Sequence, residues 1–149
     1  MVDYIDACVV LATVFRERDE PKCAEYLNAV GYKLHSTGVI AHYVVSETFV
    51  SVLMKTRGEY REESLRLAKT LLTELLDDGR VTVLKLSQIG TMVDEILSAD
   101  YRTSLDDAFN LASALTAGCS RFVTIDRQLL SSERLRAFLR ERGLKITEP

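Results

Sequence analysis

The chain predicts an α/β fold in which a parallel sheet carries helices on both faces. Three observations predict it. Short apolar runs alternate with segments of helical period along the whole sequence, and strands separated by helices imply right-handed crossovers and parallel pairing. At 149 residues, 47% hydrophobic and 28% charged, the chain suits one globular domain, 1–149, long enough to bury a sizeable core. Acidic residues recur where such a chain turns: Asp6 after Val2–Ile5, Glu47 inside an apolar helix, Asp107 opening another helix and Asp126 after 121–125.

Val2–Ile5 reads as a short buried strand, followed directly by a helix over 9–16. Pro21 suits a first helical turn, where its missing N–H costs nothing, and Gly31 suits the stop, so 21–30 is a second helix. Residues 33–36 follow as the second strand. From 40 to 55 almost every position is apolar except Ser46, Glu47, Thr48 and Ser51, the pattern of a helix covered on most sides. Arg57 and Gly58 end it. Residues 62–78 are amphipathic, with Leu65, Ala68, Leu72, Leu75 and Leu76 at helical spacing, and Gly79 leads into a strand over 81–86. Ser87 caps a helix running to 97. The Ser104-x-x-Asp107 box opens a helix over 104–117, Gly118 closes it, and the strand 121–125 follows. A last helix over 131–142 precedes a short strand at 144–147.

Composition narrows the function classes. A net charge of −3 supplies no global basic field, so any nucleic-acid binding must rest on local patches or metal ions. Cys8, Cys23 and Cys119 are odd in number and lack C-x-x-C spacing, which argues for reduced thiols over a disulfide framework or a zinc site. Asp3 and Asp6 interrupt the first apolar stretch and no basic residue precedes it, so no signal peptide is expected. No run reaches the roughly 18 apolar residues of a membrane span, so a cytoplasmic protein with no membrane partner is expected.

Three of the four acids lie just beyond a strand or at a helix start. In open parallel sheets, ligands bind at the carboxyl ends of the strands, near the switch in strand order. Oxygen ligands without His or Cys suit hard cations, Mg²⁺ or Mn²⁺, and not zinc. The implied chemistry is phosphoryl transfer, in which a metal activates water and offsets charge on the phosphate. Each acid also has a structural reading. Asp6 and Asp126 are placed as helix N-caps, Asp107 as the acid of a capping box, and Asp106 as a first-turn acid favoured by the helix dipole. Glu47 fits such a reading least, because an unpaired carboxylate buried on an apolar helix costs several kcal/mol.

Four segments carry a family resemblance: Tyr4-Ile5-Asp6-Ala7-Cys8; Val44-Val45-Ser46-Glu47 with Leu53; Ser104-Leu105-Asp106-Asp107-Ala108-Phe109-Asn110-Leu111-Ala112-Ser113-Ala114; and Phe122-Val123-Thr124-Ile125-Asp126. In this order they resemble the PIN-domain nucleases, and in size the chain is similar to the ribonuclease toxins of VapC-type toxin–antitoxin pairs. The resemblance implies a three-layer α/β/α sandwich with about five parallel strands. It further implies Mg²⁺ or Mn²⁺ as cofactor, endonucleolytic cleavage of RNA, an antitoxin partner and a homodimer. By position, Asp6, Glu47, Asp107 and Asp126 would be the metal ligands, with Thr124 supporting the site. Many members have Ser or Thr just after the first acid, where this chain has Ala7 and Cys8.

Other readings fare less well. A haloacid-dehalogenase-type phosphatase needs Asp-x-Asp after strand one, which Asp6-Ala7-Cys8 lacks, and a receiver domain needs an acid pair there and a late lysine. The alternative retained is a catalytically silent PIN-like module that binds RNA or a protein without cutting. Arg134, Arg136, Arg140 and Arg142 on the last helix read as a solvated face, and His35 and His42 as structural.

Overall fold

The computed structural model describes residues 1–32, 36–85 and 89–149. Five strands form one parallel sheet: β1 (Val2–Ile5), β2 (Thr37–Ala41), β3 (Val81–Leu84), β4 (Arg121–Val123) and β5 (Lys145–Thr147), in the order β3-β2-β1-β4-β5. Helices α1 (Ala7–Phe15), α2 (Glu20–Ala29), α3 (His42–Lys55) and α4 (Gly58–Asp77) pack together as one layer. Helices α5 (Gly90–Ala99), α6 (Leu105–Thr116), α7 (Arg127–Ser131) and α8 (Glu133–Glu141) form the other. This is the expected α/β/α sandwich. Among the described residues no helix is long and apolar enough to cross a membrane.

The core lies on both faces of the central strand. Tyr4 and Ile5 of β1 and Phe122 and Val123 of β4 are fully buried, and the Tyr4 and Phe122 rings stack with centroids 5.2 Å apart. β1 also buries Asp3, which is held by two bonds from Arg121, its register partner on β4, and by the Tyr26 hydroxyl at 3.0 Å. The charge is paired, as burial demands. Gly31 stops α2 at φ +79, and a Cβ there would lie 2.9 Å from Arg80 Cα, so both backbone and space require glycine.

Several boundaries differ from the sequence reading. β2 is Thr37–Ala41; of the strand expected over 33–36, Ser36 lies outside β2 and 33–35 fall outside the described residues. Ile40 and Ala41 belong to this strand, so α3 begins at His42. A strand buried on both faces and a buried helix give the same unbroken apolar run, and periodicity cannot divide them. Helix α4 starts at Gly58, one turn earlier than expected, and Ser87, expected as a cap, lies outside the described residues while α5 starts at Gly90. The expected last helix is α8, capped by Ser132, and a short helix not expected from sequence, α7, capped by Asp126, precedes it. Helix α3 is not covered on most sides either. It buries Val44, Thr48 and Val52 but exposes Val50, Leu53 and Met54.

Candidate active site

The sheet changes direction between β1 and β4: β2 and β3 were added on one side of β1, β4 and β5 on the other. Their carboxyl ends therefore form the crevice where an open parallel sheet binds ligands. Asp6 follows β1, and Thr124 and Asp126 follow β4. Because Ile5 pairs with Val123, Asp6 and Thr124 come out side by side.

Asp6 takes the N-cap position of α1 in extended geometry, yet its side chain makes no cap bond. Its carboxylate turns to the crevice instead. Asp6 Oδ2 accepts from Thr124 Oγ1 at 2.7 Å and from Cys8 Sγ at 3.0 Å, while Sγ lies 3.1 Å from Thr124 Oγ1. Thr124 Oγ1 in turn accepts from the Asp126 backbone N–H at 3.0 Å. Cys8 thus touches both the Asp6 carboxylate and the Thr124 hydroxyl.

Asp126 does cap its helix: Oδ1 accepts from the N–H groups of Gln128 at 2.7 Å and Leu129 at 3.3 Å. Asp107 lies in the first turn of α6, where the Ser104 hydroxyl accepts from the Asp107 N–H at 3.0 Å and donates to its Oδ2 at 2.6 Å. The capping readings of these two acids therefore hold. Each uses one carboxylate oxygen and leaves the other.

Glu47 comes from the second turn of α3. Its Oε2 is buried without a hydrogen-bond partner, one of few such side-chain atoms among the described residues. Burial pushes its carboxyl up to about 7, with the charges of Asp6, Asp106 and Asp107 adding to the shift and the Asn110 amide opposing it. Burial likewise raises Asp6, Cys8 and Thr124 oppose that rise through their hydrogen bonds, and the charge of Asp126 adds to it. Asp107 is raised by burial, held back by Ser104, and raised further by Asp6, Asp126 and Asp106. Asp6, Glu47 and Asp107 thus share one field, and within it these three resist ionisation.

Asn110 was not anticipated from sequence. It sits one helical turn after Asp107, is buried, and accepts from the Tyr4 hydroxyl through Oδ1 at 2.5 Å, which leaves its amide N–H₂ for Glu47. The i, i+3 spacing from Asp107 was the available signal. Tyr43 is a second addition: its hydroxyl is pushed up to about 12 by burial and by the neighbouring Asp106.

Among the described residues, no group of three or more His, Cys, Asp or Glu side chains is set to hold a metal ion as it stands. The chemistry of the donors nevertheless fits a hard divalent cation. They are all oxygens, they repel one another, and one buried oxygen is orphaned. Coordination would require the carboxylates to turn inward.

No protein-family model matches the chain, and no curated protein matches it. Solved structures do. It is similar to VapBC2 from Rickettsia felis, bound to a DNA fragment from its promoter, at 13% identity over 99% of this chain and 98% of that one, with TM-score 0.66. It is also similar to Mycobacterium tuberculosis VapC20, a sarcin–ricin loop cleaving toxin, at 13% identity over 88% and 95%, with TM-score 0.63. VapBC-1 from nontypeable Haemophilus influenzae matches at 18% identity over 99% and 98%, with TM-score 0.63. At such identities what is shared is the architecture: this chain has the PIN-like α/β/α fold seen in VapC-type toxin structures.

Proposed function

We propose that the protein is a divalent-metal-dependent endoribonuclease, the toxin of a toxin–antitoxin pair, with Mg²⁺ or Mn²⁺ held by Asp6, Glu47, Asp107 and Asp126. One observation carries the reading. Asp6, Glu47 and Asp107, from three distant stretches of chain, resist ionisation beside one another and beside the charge of Asp126 in the crevice at the switch in strand order, and Glu47 has a buried oxygen with no partner. A fold could dispose of these charges by exposing them; this one gathers them. The neighbours add support: VapC20 cleaves RNA, and the VapBC structures are pairs with an antitoxin.

When bound, the metal would supply an activated water and offset charge building on the phosphate. The rest falls to the chain. Thr124 and Cys8 hold Asp6 by Oδ2, which leaves Oδ1 for coordination, and Asp126 and Asp107 are each anchored by bonds within a helix start. The Tyr4–Asn110 pair orients an amide toward Glu47. Glu47, whose carboxyl stands near 7 without metal, would hold the cation as a carboxylate, because the bound charge favours its ionised form. No serine, threonine or cysteine nucleophile is required, and burial pushes the Cys8 thiol well above its ordinary range, against a thiolate role.

Purified protein is incubated with single-stranded RNA, structured RNA and DNA in Mg²⁺, Mn²⁺, Ca²⁺ or EDTA, beside Asp6→Asn. RNA cleavage in Mg²⁺ or Mn²⁺, lost in EDTA and in the variant, is expected. Ca²⁺ should support it poorly, because its looser geometry positions water badly. Full cleavage in chelator would overturn the metal mechanism; RNA binding without cleavage would favour the silent module.

A further inference from the structure

We propose that the cleft formed by Asp100, Tyr101, Arg102 and Arg134 is a subsite for single-stranded RNA, in which Tyr101 stacks on an unpaired base and Arg134 takes a backbone phosphate. The inference rests on the ribonuclease reading above and names where that substrate runs beyond the acids.

The cleft has a volume of about 320 Å³ and lies in the segment between α5 and α6, roofed by the start of α8. That volume is near the lower end for small-ligand sites, roughly 300–1,000 Å³, and suits one nucleotide rather than a duplex. It connects to the acids by direct contacts. The Arg102 carbonyl accepts from the Gln128 side chain, and the Gln128 backbone N–H donates to Asp126. In the other direction the same loop runs through Thr103 into Ser104, the cap that holds Asp107. An RNA strand crossing the acids would meet this loop where it runs on past Asp126 and Asp107.

The loop is rigidly built. Asp100 is buried, Arg102 grips it through Nε at 3.1 Å and Nη2 at 3.0 Å, and the Ser132 hydroxyl donates to it at 2.5 Å. Arg102 is therefore neutralised where it stands. Arg134 is exposed and has no hydrogen-bond or ion-pair partner among the described residues, so the cleft carries one uncompensated positive charge in a protein of net charge −3. Tyr101 is 82% exposed, the most exposed aromatic side chain among the described residues. An aromatic ring set out in solvent by a braced loop, beside a free guanidinium, is the pairing that binds unstacked bases: the ring takes the base face and the cation the backbone. Arg136 on α8 bonds the Leu130 carbonyl, and Arg142 just after it pairs with Glu95 and lies over the Phe138 ring. Arg140 is exposed and unpartnered among the described residues as Arg134 is, but the hollow it lines with Arg136, Gly143, Leu144 and Lys145 holds no aromatic ring.

The test measures binding of a fluorescent single-stranded RNA to Asp126→Asn protein in Mg²⁺, alone and with Tyr101→Ala, Tyr101→Phe or Arg134→Ala added. The last three are also assayed for cleavage in the otherwise wild-type protein. Tyr101→Ala is expected to weaken binding on the order of tenfold and Tyr101→Phe to keep it, because stacking needs the ring and not the hydroxyl. Arg134→Ala should weaken binding and lower the dependence of log K on log salt by about one. In cleavage, KM should rise while kcat holds. Unchanged melting temperatures would confirm that neither position acts through folding. If the protein cleaves RNA and all three variants bind as their parent does, the subsite is wrong and the nuclease stands. If it binds without cleaving and Tyr101→Ala and Arg134→Ala still lose affinity, the nuclease reading fails and the subsite stands. Binding confined to duplex RNA, or no binding, overturns the subsite.

Discussion

Thr124 donates its hydroxyl to Asp6 Oδ2 at 2.7 Å, joining the carboxyl ends of two strands that are 118 residues apart in sequence. Thr124 Oγ1 also accepts from the Asp126 N–H, so one side chain fixes the spacing of two acids.

Thr124→Val should therefore damage the site while keeping its shape. Asp6 loses a donor in a buried setting, and melts should show a loss of about 1–3 kcal/mol, with RNA cleavage down tenfold or more. Thr124→Ser restores the donor and most of the activity. Cys8→Ser should also remain active, since a hydroxyl can serve the same two partners. A fully active Thr124→Val would mean the bond is incidental.

The pH dependence of metal-free stability should follow Glu47. Its carboxyl titrates near 7 in the folded protein against an ordinary 4.5, so the folded state binds the extra proton between those values. Stability is then fullest below about 4.5 and declines as pH rises through 7. Glu47 is only half-buried, and solvent screening leaves the decline on the order of 1 kcal/mol. Melting curves in EDTA from pH 4.5 to 8 test this against Glu47→Gln, which should flatten the slope.

Removing a negative charge from the cluster should help the metal-free protein and harm the metal-bound one. At pH 7 in EDTA, Asp126→Asn and Asp107→Asn should leave stability unchanged or raise it by about 1 kcal/mol, because asparagine still caps and repulsion is relieved. In saturating Mg²⁺ the ranking should reverse, since the wild type gains binding free energy that the variants lack. Destabilisation of both variants by equal amounts in EDTA and in Mg²⁺ would reduce these acids to helix caps.

The exposed face of α3 predicts a homodimer. Val50 is 56% exposed, Leu53 46% and Met54 81%, with Tyr60 at the start of α4 52% exposed, and an isologous contact would bury this stripe against its copy. Light scattering at micromolar concentration should give a dimer mass, and Met54→Glu should shift it to the monomer. A wild-type monomer at that concentration would count decisively against it.

Local signals made most elements legible. Ser104-x-x-Asp107 opens α6 as read, and Gly118 closes it at φ +69. Pro21 lies in the first turn of α2 and Gly31 just past its end. Asp6 and Asp126 sit where apolar strands end. The caps made by Ser104 and Asp126 depend on bonds within four residues of the marker, so that information is contiguous in the chain. The expected start of α3 at residue 40, two residues before its observed start, has the opposite cause. A run such as Val39–Ala41 is apolar in either conformation, and only sheet neighbours on both sides make it a strand.

The order of elements, their caps and the acids available for chemistry were determined by the sequence itself, because propensity, capping and periodicity act between near neighbours. Which acids meet was decided by tertiary structure. The order β3-β2-β1-β4-β5 sets Asp6 beside Thr124, the fold of α6 against β1 joins Tyr4 to Asn110, and packing leaves the α3 stripe and the Tyr101–Arg134 cleft in solvent. Contacts of this kind join residues about a hundred positions apart, where no local pattern reaches, and they form only because burying both sheet faces admits one arrangement of the helices.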